Sequence, residues 1–134
     1  MAIHLGKQDK ERKIMPYYTS LIPEKPVVIP GKSSHIGIWV KAASDWGRVV
    51  YELHDAKGER WLSIGTRQSW NCDDMYNWSS FCFDGWRYLR FEMPSHSPYD
   101  SFSEKGMTWW GSFGNGDGII DLPLSLTKII VERR

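Results

Sequence analysis

Tryptophan and tyrosine are the residues of this sequence whose number and company point to chemistry. The 134 residues carry eight Trp and six Tyr, more aromatic surface than a core of this size hides, because Trp is rarely buried completely. Several fall where no strand or helix period is visible: Trp46, Trp70, Tyr76, Trp78, Tyr99, Phe102, Trp109 and Trp110. Near them stand Arg67, Asn71, Asp73, Asp74, Asn77, Asn115 and Asp117. Aromatic faces stack on the C–H faces of sugar rings, while carboxylates, amides and guanidiniums hydrogen-bond the hydroxyls. This mixture therefore has both ingredients of a glycan site, and exposed aromatic patches commonly mark binding surfaces. Taken singly, each Trp is better explained as a plug for the end of a β-sandwich, where long connections need small cores of their own. Taken together, they predict that at least one or two form a platform.

Other chemistries have weaker support. The runs Asn71-x-Asp73-Asp74 and Asn115-x-Asp117-x-x-x-Asp121 offer oxygen ligands that Ca²⁺ accepts. Neither has the glutamate that closes a twelve-residue EF-hand loop, and turn-forming Asx residues explain both runs better. A calcium held there would staple connections rather than do chemistry, so the metal stays unassigned and no cofactor is expected. The four His show no metal-ligand spacing, and no P-loop, dinucleotide fingerprint or G-x-S-x-G elbow occurs. Nothing singles out a glycosidase pair among the carboxylates. The sequence reads as a binding domain, not an enzyme.

These residues need a scaffold, and its pattern is strand-like throughout. His35 to Lys41 alternates Ile36, Ile38 and Val40 against Gly37, Trp39 and Lys41. Arg48 to His54 sets Val49, Tyr51 and Leu53 against Val50, Glu52 and His54, and Glu59 to Gly65 places Leu62 and Ile64 on an apolar side. Phe81 to Phe83 reads as a short strand that turns through Asp84-Gly85 into Trp86 to Met93, where Leu89, Phe91 and Met93 share a face. Val27 to Ile29 forms another short strand, and Leu124 to Glu132 closes the chain with Thr127, Ile129 and Val131 together. Residues 1 to 24 are weakly patterned, with Ile3 to Leu5 an edge strand at most. Residues 66 to 80 and 95 to 123 read as long loops. Period-2 runs separated by turns predict an all-β antiparallel sandwich.

Antiparallel connections alternate between the ends of such a sandwich. With the strands above, residues 42–47, 66–80 and 94–123 fall at one end and the turns 55–58 and 84–85 at the other. That end would gather the loop aromatics with Arg67, Asn71, Asp74 and Asp117. A second candidate surface is a sheet face, where Trp39, Trp61, Tyr88 and Arg90 point away from the aliphatic side and would line a groove for a longer polysaccharide.

Length and charge bound the rest. The chain fits one domain, and a net charge of +1 gives no general drive toward nucleic acid or an anionic membrane. No apolar run is long enough to span a bilayer. The N-terminus has no apolar signal core, and Met1-Ala2-Ile3 leads straight into mid-domain sequence, as in a piece of a larger protein whose export signal lies elsewhere. Cys72 and Cys82 leave a disulfide open, and Cys82 between Phe81 and Phe83 suits a small core residue equally well.

Gly31-Lys32-Ser33-Ser34, Ile38-Trp39-Val40-Lys41, Trp46-Gly47, Asp55-Ala56-Lys57-Gly58 and Phe83-Asp84-Gly85-Trp86, with the closing Leu126-Thr127-Lys128-Ile129-Ile130-Val131-Glu132, resemble galactose-binding-like β-jelly rolls. These are carbohydrate-binding modules appended to secreted, periplasmic or cell-surface polysaccharide-degrading enzymes of bacteria. The resemblance covers residues 26 to 134 and implies a jelly roll that contacts a polysaccharide or oligosaccharide through loop-end aromatics or one sheet face. It also implies a catalytic domain in the parent chain. Many such modules hold a structural calcium, for which residues 1 to 25 lack an obvious paired-acid motif. The stacking candidates are Trp109, Trp110, Trp70 and Trp78, and the hydrogen-bonding candidates are Asn71, Asp74, Arg67 and Asp117. Because the same fold also serves structural roles, the alternative is a β-sandwich that packs on its catalytic neighbour without binding sugar. Lys41, Arg48, Arg67 and Arg90 would suit uronic acids.

Overall fold

The computed structural model describes residues 17–44, 47–65, 81–93 and 109–133. Every element among them is a strand: β1 (Tyr17–Leu21), β2 (Val27–Val28), β3 (His35–Ala43), β4 (Gly47–His54), β5 (Arg60–Gly65), β6 (Asp84–Glu92), β7 (Trp109–Phe113) and β8 (Ser125–Arg133). No helix occurs among the described residues, and so none long and apolar enough to cross a membrane.

Two antiparallel sheets form. The larger has the order β1-β8-β4-β5-β7, with β2 also paired to β8, and the smaller pairs β3 with β6. β1 and β2 lie in succession along one edge of β8, Leu21 opposite Ile129 and Val27 opposite Leu126. The inner faces of both sheets meet in one apolar core, a sandwich-like arrangement that buries Val49, Tyr51, Leu53, Trp61 and Trp110 from one side and Leu89 and Phe91 from the other. Burying each such side chain stabilises the fold by roughly 1.5–3 kcal/mol. Phe91 and Trp110 join the sheets edge to face, ring centroids 5.5 Å apart and planes at 85°. Such a geometry adds about 1 kcal/mol beyond the area buried.

The alternation in β3, β4 and β6 sets the inward faces as the sequence predicts. Other expectations fail. Phe81 to Phe83 is not a strand; both Phe residues are buried and the Phe81 N–H donates to the Gly47 carbonyl at 2.8 Å. Asp84 and Gly85 are therefore the first residues of β6, opposite Ala43 and Ala42, rather than a hairpin turn. Gly85 does hold a positive φ, 85°, which only glycine adopts without strain, so the residue is required although the turn is not. Cys82 is exposed and is no core residue; Cys72 lies outside the described residues, as do Ile3 to Leu5.

In β8 only Ile129 and Val131 follow the expected face. The β4–β8 register slips between Glu52 and Leu53, and Thr127 at that bulge turns its hydroxyl to Glu52, donating to the backbone oxygen at 3.1 Å and to Oε1 at 3.0 Å. β5 also departs from expectation. Trp61 faces the core and is buried, and Leu62 on the outer side is half-buried. Burying the larger ring removes more apolar surface from water, and the Trp61 indole N–H finds an acceptor in Asp55 Oδ2 at 3.4 Å.

Two strands, β1 and β7, fall in stretches that the sequence reads as weakly patterned and as loop. β7 runs along β5, with Trp109 opposite Gly65 and Phe113 opposite Arg60. It divides the predicted 94–123 loop, whose second half emerges beside the 55–58 turn; the expected end is reversed because β6, with Phe81 to Phe83 no strand, runs the other way and ends opposite His35.

Candidate functional site

Strand alternation in the small sheet presents an aromatic outer face. Ile36, Ile38 and Val40 of β3 and Leu89 and Phe91 of β6 pack inward, so the residues between them point outward. Three consecutive rows of that face are fixed by register: Gly37 opposite Arg90, Trp39 opposite Tyr88, and Lys41 opposite Trp86. Trp39 and Trp86 are each 67% exposed and Tyr88 47%. The Trp39 and Tyr88 ring centroids lie 5.7 Å apart with planes at 49°. Rows succeed each other about 7 Å apart along the strands, so the aromatic surface is longer than it is wide.

Gly37 shapes this surface. A Cβ there would stand 2.7 Å from Tyr88 Cζ and 2.8 Å from its hydroxyl, so the phenol end of Tyr88 lies across the bare backbone of the opposite strand. The glycine leaves the space in which the tyrosine reclines on the sheet, an aromatic ring covering a strand glycine.

Charges border the rings. Lys41 and Arg90 are exposed, and no ion pair reaches either among the described residues. Arg87, opposite Val40, places its guanidinium 4.5 Å from the Phe83 ring centroid. At the start of β6, Asp84 Oδ1 accepts the Ser44 hydroxyl at 3.1 Å; near the other end, His35 Nδ1 is 3.0 Å from the Ser34 hydroxyl.

Most of the site expected at the loop end falls outside the described residues. Trp70, Trp78, Asn71, Asp74 and Arg67 lie outside the described residues. Trp109 enters β7, and Trp110 is only 1% exposed; packed on Phe91 in the core, it offers no face for a ligand. Asp117 is exposed but belongs to the opposite end. Gly65, from which the chain leaves β5, lies with Gly47 and Ser44 at one end, whereas Asp117 lies beside the 55–58 turn at the other. Trp61, expected on the sheet face, is core. Of that second surface Trp39, Tyr88 and Arg90 stand as expected. Trp86 was overlooked, though its even-numbered spacing with Tyr88 and Arg90 carried the signal once β6 starts at Asp84.

Around Asp117 the structure forms a polar clamp. Asp55 Oδ1 accepts the backbone N–H groups of Lys57 and Glu59, each at 2.9 Å, closing the β4–β5 turn. Its Oδ2 receives the Trp61 indole and the Asp121 N–H, each at 3.4 Å. Lys57 Nζ bridges Asp117 at 3.1 Å and Asp121 at 2.9 Å, and Asp117 Oδ1 accepts the Ile119 N–H at 2.8 Å. That backbone bond, then the Lys57 hydrogen bond and charge, hold the Asp117 carboxyl below its usual range. The two aspartates push Lys57 up to about 12. The nearly buried Glu59 carboxylate accepts the Ser112 hydroxyl and the Gly118 N–H. A groove of about 450 Å³ runs past Lys57, Glu59, Arg60, Phe113, Asn115 and Asp117, but its carboxylates are engaged with the protein's own donors. The cation that Asp117 and Asp121 face is the Lys57 ammonium, and no group of three acidic, His or Cys side chains among the described residues is arranged to hold a metal.

The outer face of the large sheet is also internally matched. Arg48 Nε donates to Glu132 at 2.8 Å. Lys128 Nζ contacts both oxygens of the buried Glu52, at 3.0 and 3.1 Å. Burial alone would raise the Glu52 carboxyl, but hydrogen bonds from Lys128 and Thr127 and the nearby charges of Lys128 and His54 outweigh it and hold the group below its usual value.

Comparison with protein-family models, with curated proteins and with solved structures returned no match. The functional reading therefore rests on the geometry described above.

Proposed function

We propose that this chain is a non-catalytic carbohydrate-binding module, a galactose-binding-like β-jelly roll that holds a bacterial polysaccharide-degrading enzyme against its glycan outside the cytoplasm. One observation carries the reading: Trp39, Tyr88 and Trp86 lie exposed on consecutive rows of the β3–β6 face. A strip of rings open to water is unusual unless something covers it, and rings flanked by hydrogen-bonding side chains suit the alternating apolar and hydroxyl-bearing surfaces of linked sugars. The facing sheets support the fold assignment. The exposed sheet face supports this reading of the platform; Trp110, which is core, and Asp117, at the other end of the sandwich, do not join it. Contact through a shallow face is weak for one module, and neighbouring binding sites in the parent chain would raise the effective affinity.

Affinity electrophoresis of the domain through gels containing a panel of polysaccharides tests this, with Trp39→Ala and Trp86→Ala run beside the parent. Retardation by a glycan that both folded variants lose supports the module and its platform. A folded domain that no glycan retards would favour the structural alternative, in which the same face packs against the catalytic neighbour.

A further inference from the structure

We infer that the glycan bound by the β3–β6 face is an anionic polysaccharide, its carboxylate or sulfate groups met by Lys41 and Arg90; this rests on the glycan-binding reading above. The two cations sit on opposite strands and in different rows, Arg90 across from Gly37 and Lys41 across from Trp86, with the Trp39–Tyr88 row between them. Four residues of strand separate their rows, about 14 Å along the sheet. The face is therefore ordered as cation, aromatic pair, cation on a diagonal. A chain of linked rings lying over Trp39 and Tyr88 would bring successive substituents to both.

The charges are matched differently elsewhere. Arg48 is paired with Glu132, Lys128 with Glu52, and Lys57 with Asp117 and Asp121. Lys41 and Arg90 have no such partner among the described residues. Between their rows the register places no acid. Asp84 begins β6 and accepts the Ser44 hydroxyl, and Glu92 occupies the row of His35, so the acids of this sheet lie at its two ends. An exposed cation beside a stacking surface is complementary to an anionic chain and indifferent to a neutral one. The Tyr88 hydroxyl, lying across Gly37 in the Arg90 row, adds a hydrogen-bonding group where a carboxylate or sulfate would approach.

The test separates charge from stacking. Retention of the domain would be measured in polygalacturonate, in its fully methyl-esterified counterpart, in dextran sulfate and in dextran. The proteins would be the parent, Trp39→Ala and the double variant Lys41→Gln/Arg90→Gln, all checked for an unchanged unfolding midpoint. The expected result is at least fivefold tighter retention of the parent by an anionic chain than by its neutral counterpart. That preference should vanish in the double variant and in 1 M salt, where the screening length falls to about 3 Å, and Trp39→Ala should lose most of the remaining binding. Preference for polygalacturonate assigns carboxylates; preference for dextran sulfate alone assigns sulfates. Equal retention by charged and neutral chains, abolished by Trp39→Ala, would overturn the inference and leave the glycan-binding module standing. Anionic retention that Trp39→Ala leaves intact would reduce the contact to bare charge attraction and overturn it too. Absence of any retention would overturn both readings.

Discussion

Tyr88 reclines on Gly37: the phenol end of one strand's tyrosine occupies the position that a side chain on the other strand would need. The aromatic face thus depends on a residue with no side chain, and the pair makes its own prediction. Gly37→Ala would put a methyl 2.5 Å from the Leu89 carbonyl oxygen as well as against the Tyr88 ring. The ring can swing away, but the backbone oxygen cannot easily move. The variant should lose roughly 1–3 kcal/mol, the usual range for overpacking, and bind the module's ligand more weakly. Urea unfolding checks the first effect and gel retardation the second. Gly37→Ala as stable as the parent would show that the strands relax apart at this row.

Tyr51 is fully buried and its hydroxyl has no hydrogen-bond partner among the described residues. Burial, then the neighbouring Tyr88, pushes its phenol far above the ordinary value. A buried hydroxyl without a partner costs about 1–3 kcal/mol, so Tyr51→Phe should raise stability by about 1 kcal/mol. A thermal midpoint several degrees higher is expected from calorimetry; a lower midpoint would mean that the hydroxyl has a partner after all.

Glu52 gives the fold a pH dependence. Its carboxyl is held below the usual value of 4.5, so the unfolded chain binds the proton more readily than the folded one. The stabilisation is complete above that value and disappears as pH falls through the folded one. Glu52→Gln should flatten this part of the acid-unfolding curve. Lys128→Met, which leaves the buried carboxylate without its main partner, should cost roughly 1–3 kcal/mol at pH 7. That is less than a fully buried pair, because the Lys128 side chain is 33% exposed and water screens it.

The clamp between the β4–β5 turn and the β7–β8 connection centres on Asp55. Asp55→Ala strips the acceptor from the N–H groups of Lys57 and Glu59 and from the Trp61 indole, and should cost about 3 kcal/mol on the scale of buried donors left unsatisfied. Hydrogen exchange should quicken first at Glu59 and Asp121. The Lys57–Asp117 bridge should persist through neutral pH. It opens on acidification through the lowered Asp117 value, or in strong base as pH passes the raised Lys57 value of about 12.

What the sequence made legible follows from physical differences among the strands. β3, β4 and β6 alternate between aliphatic and other residues, and alternation survives any uncertainty about neighbours. β7, Trp-Trp-Gly-Ser-Phe, has no alternation of apolar and polar residues to mark it as a strand. It was hidden in a Gly- and Ser-rich region. Reading Phe81 to Phe83 as a strand reverses the direction assigned to β6, which ends opposite His35, and this is why Asp117 is grouped with residues 66–80 and not with Lys57. Trp61 was misplaced because Leu62 and Ile64 mimic a core face, whereas the buried acceptor Asp55, six residues earlier, allows the indole to be buried instead. The sheet-face platform is half visible in the sequence: Trp39, Tyr88 and Arg90 follow from alternation, but Trp86 joins them only because Asp84 and Gly85 belong to β6 rather than to a turn.

The position of β8 also governs how the domain comes into being. This strand lies inside the large sheet, with β1 and β2 along one edge and β4 along the other. Among the described residues neither β1 nor β2 has another strand partner, so both must wait about a hundred residues of synthesis for residues 125–133 to arrive. At ribosomal speeds of about 5–20 residues per second, the nascent chain spends several seconds with those strand edges open. Closing such distant pairings is intrinsically slow. The domain should therefore gain protease resistance in one late step as β8 emerges, and the exposed interval before that step is when it most needs protection from self-association.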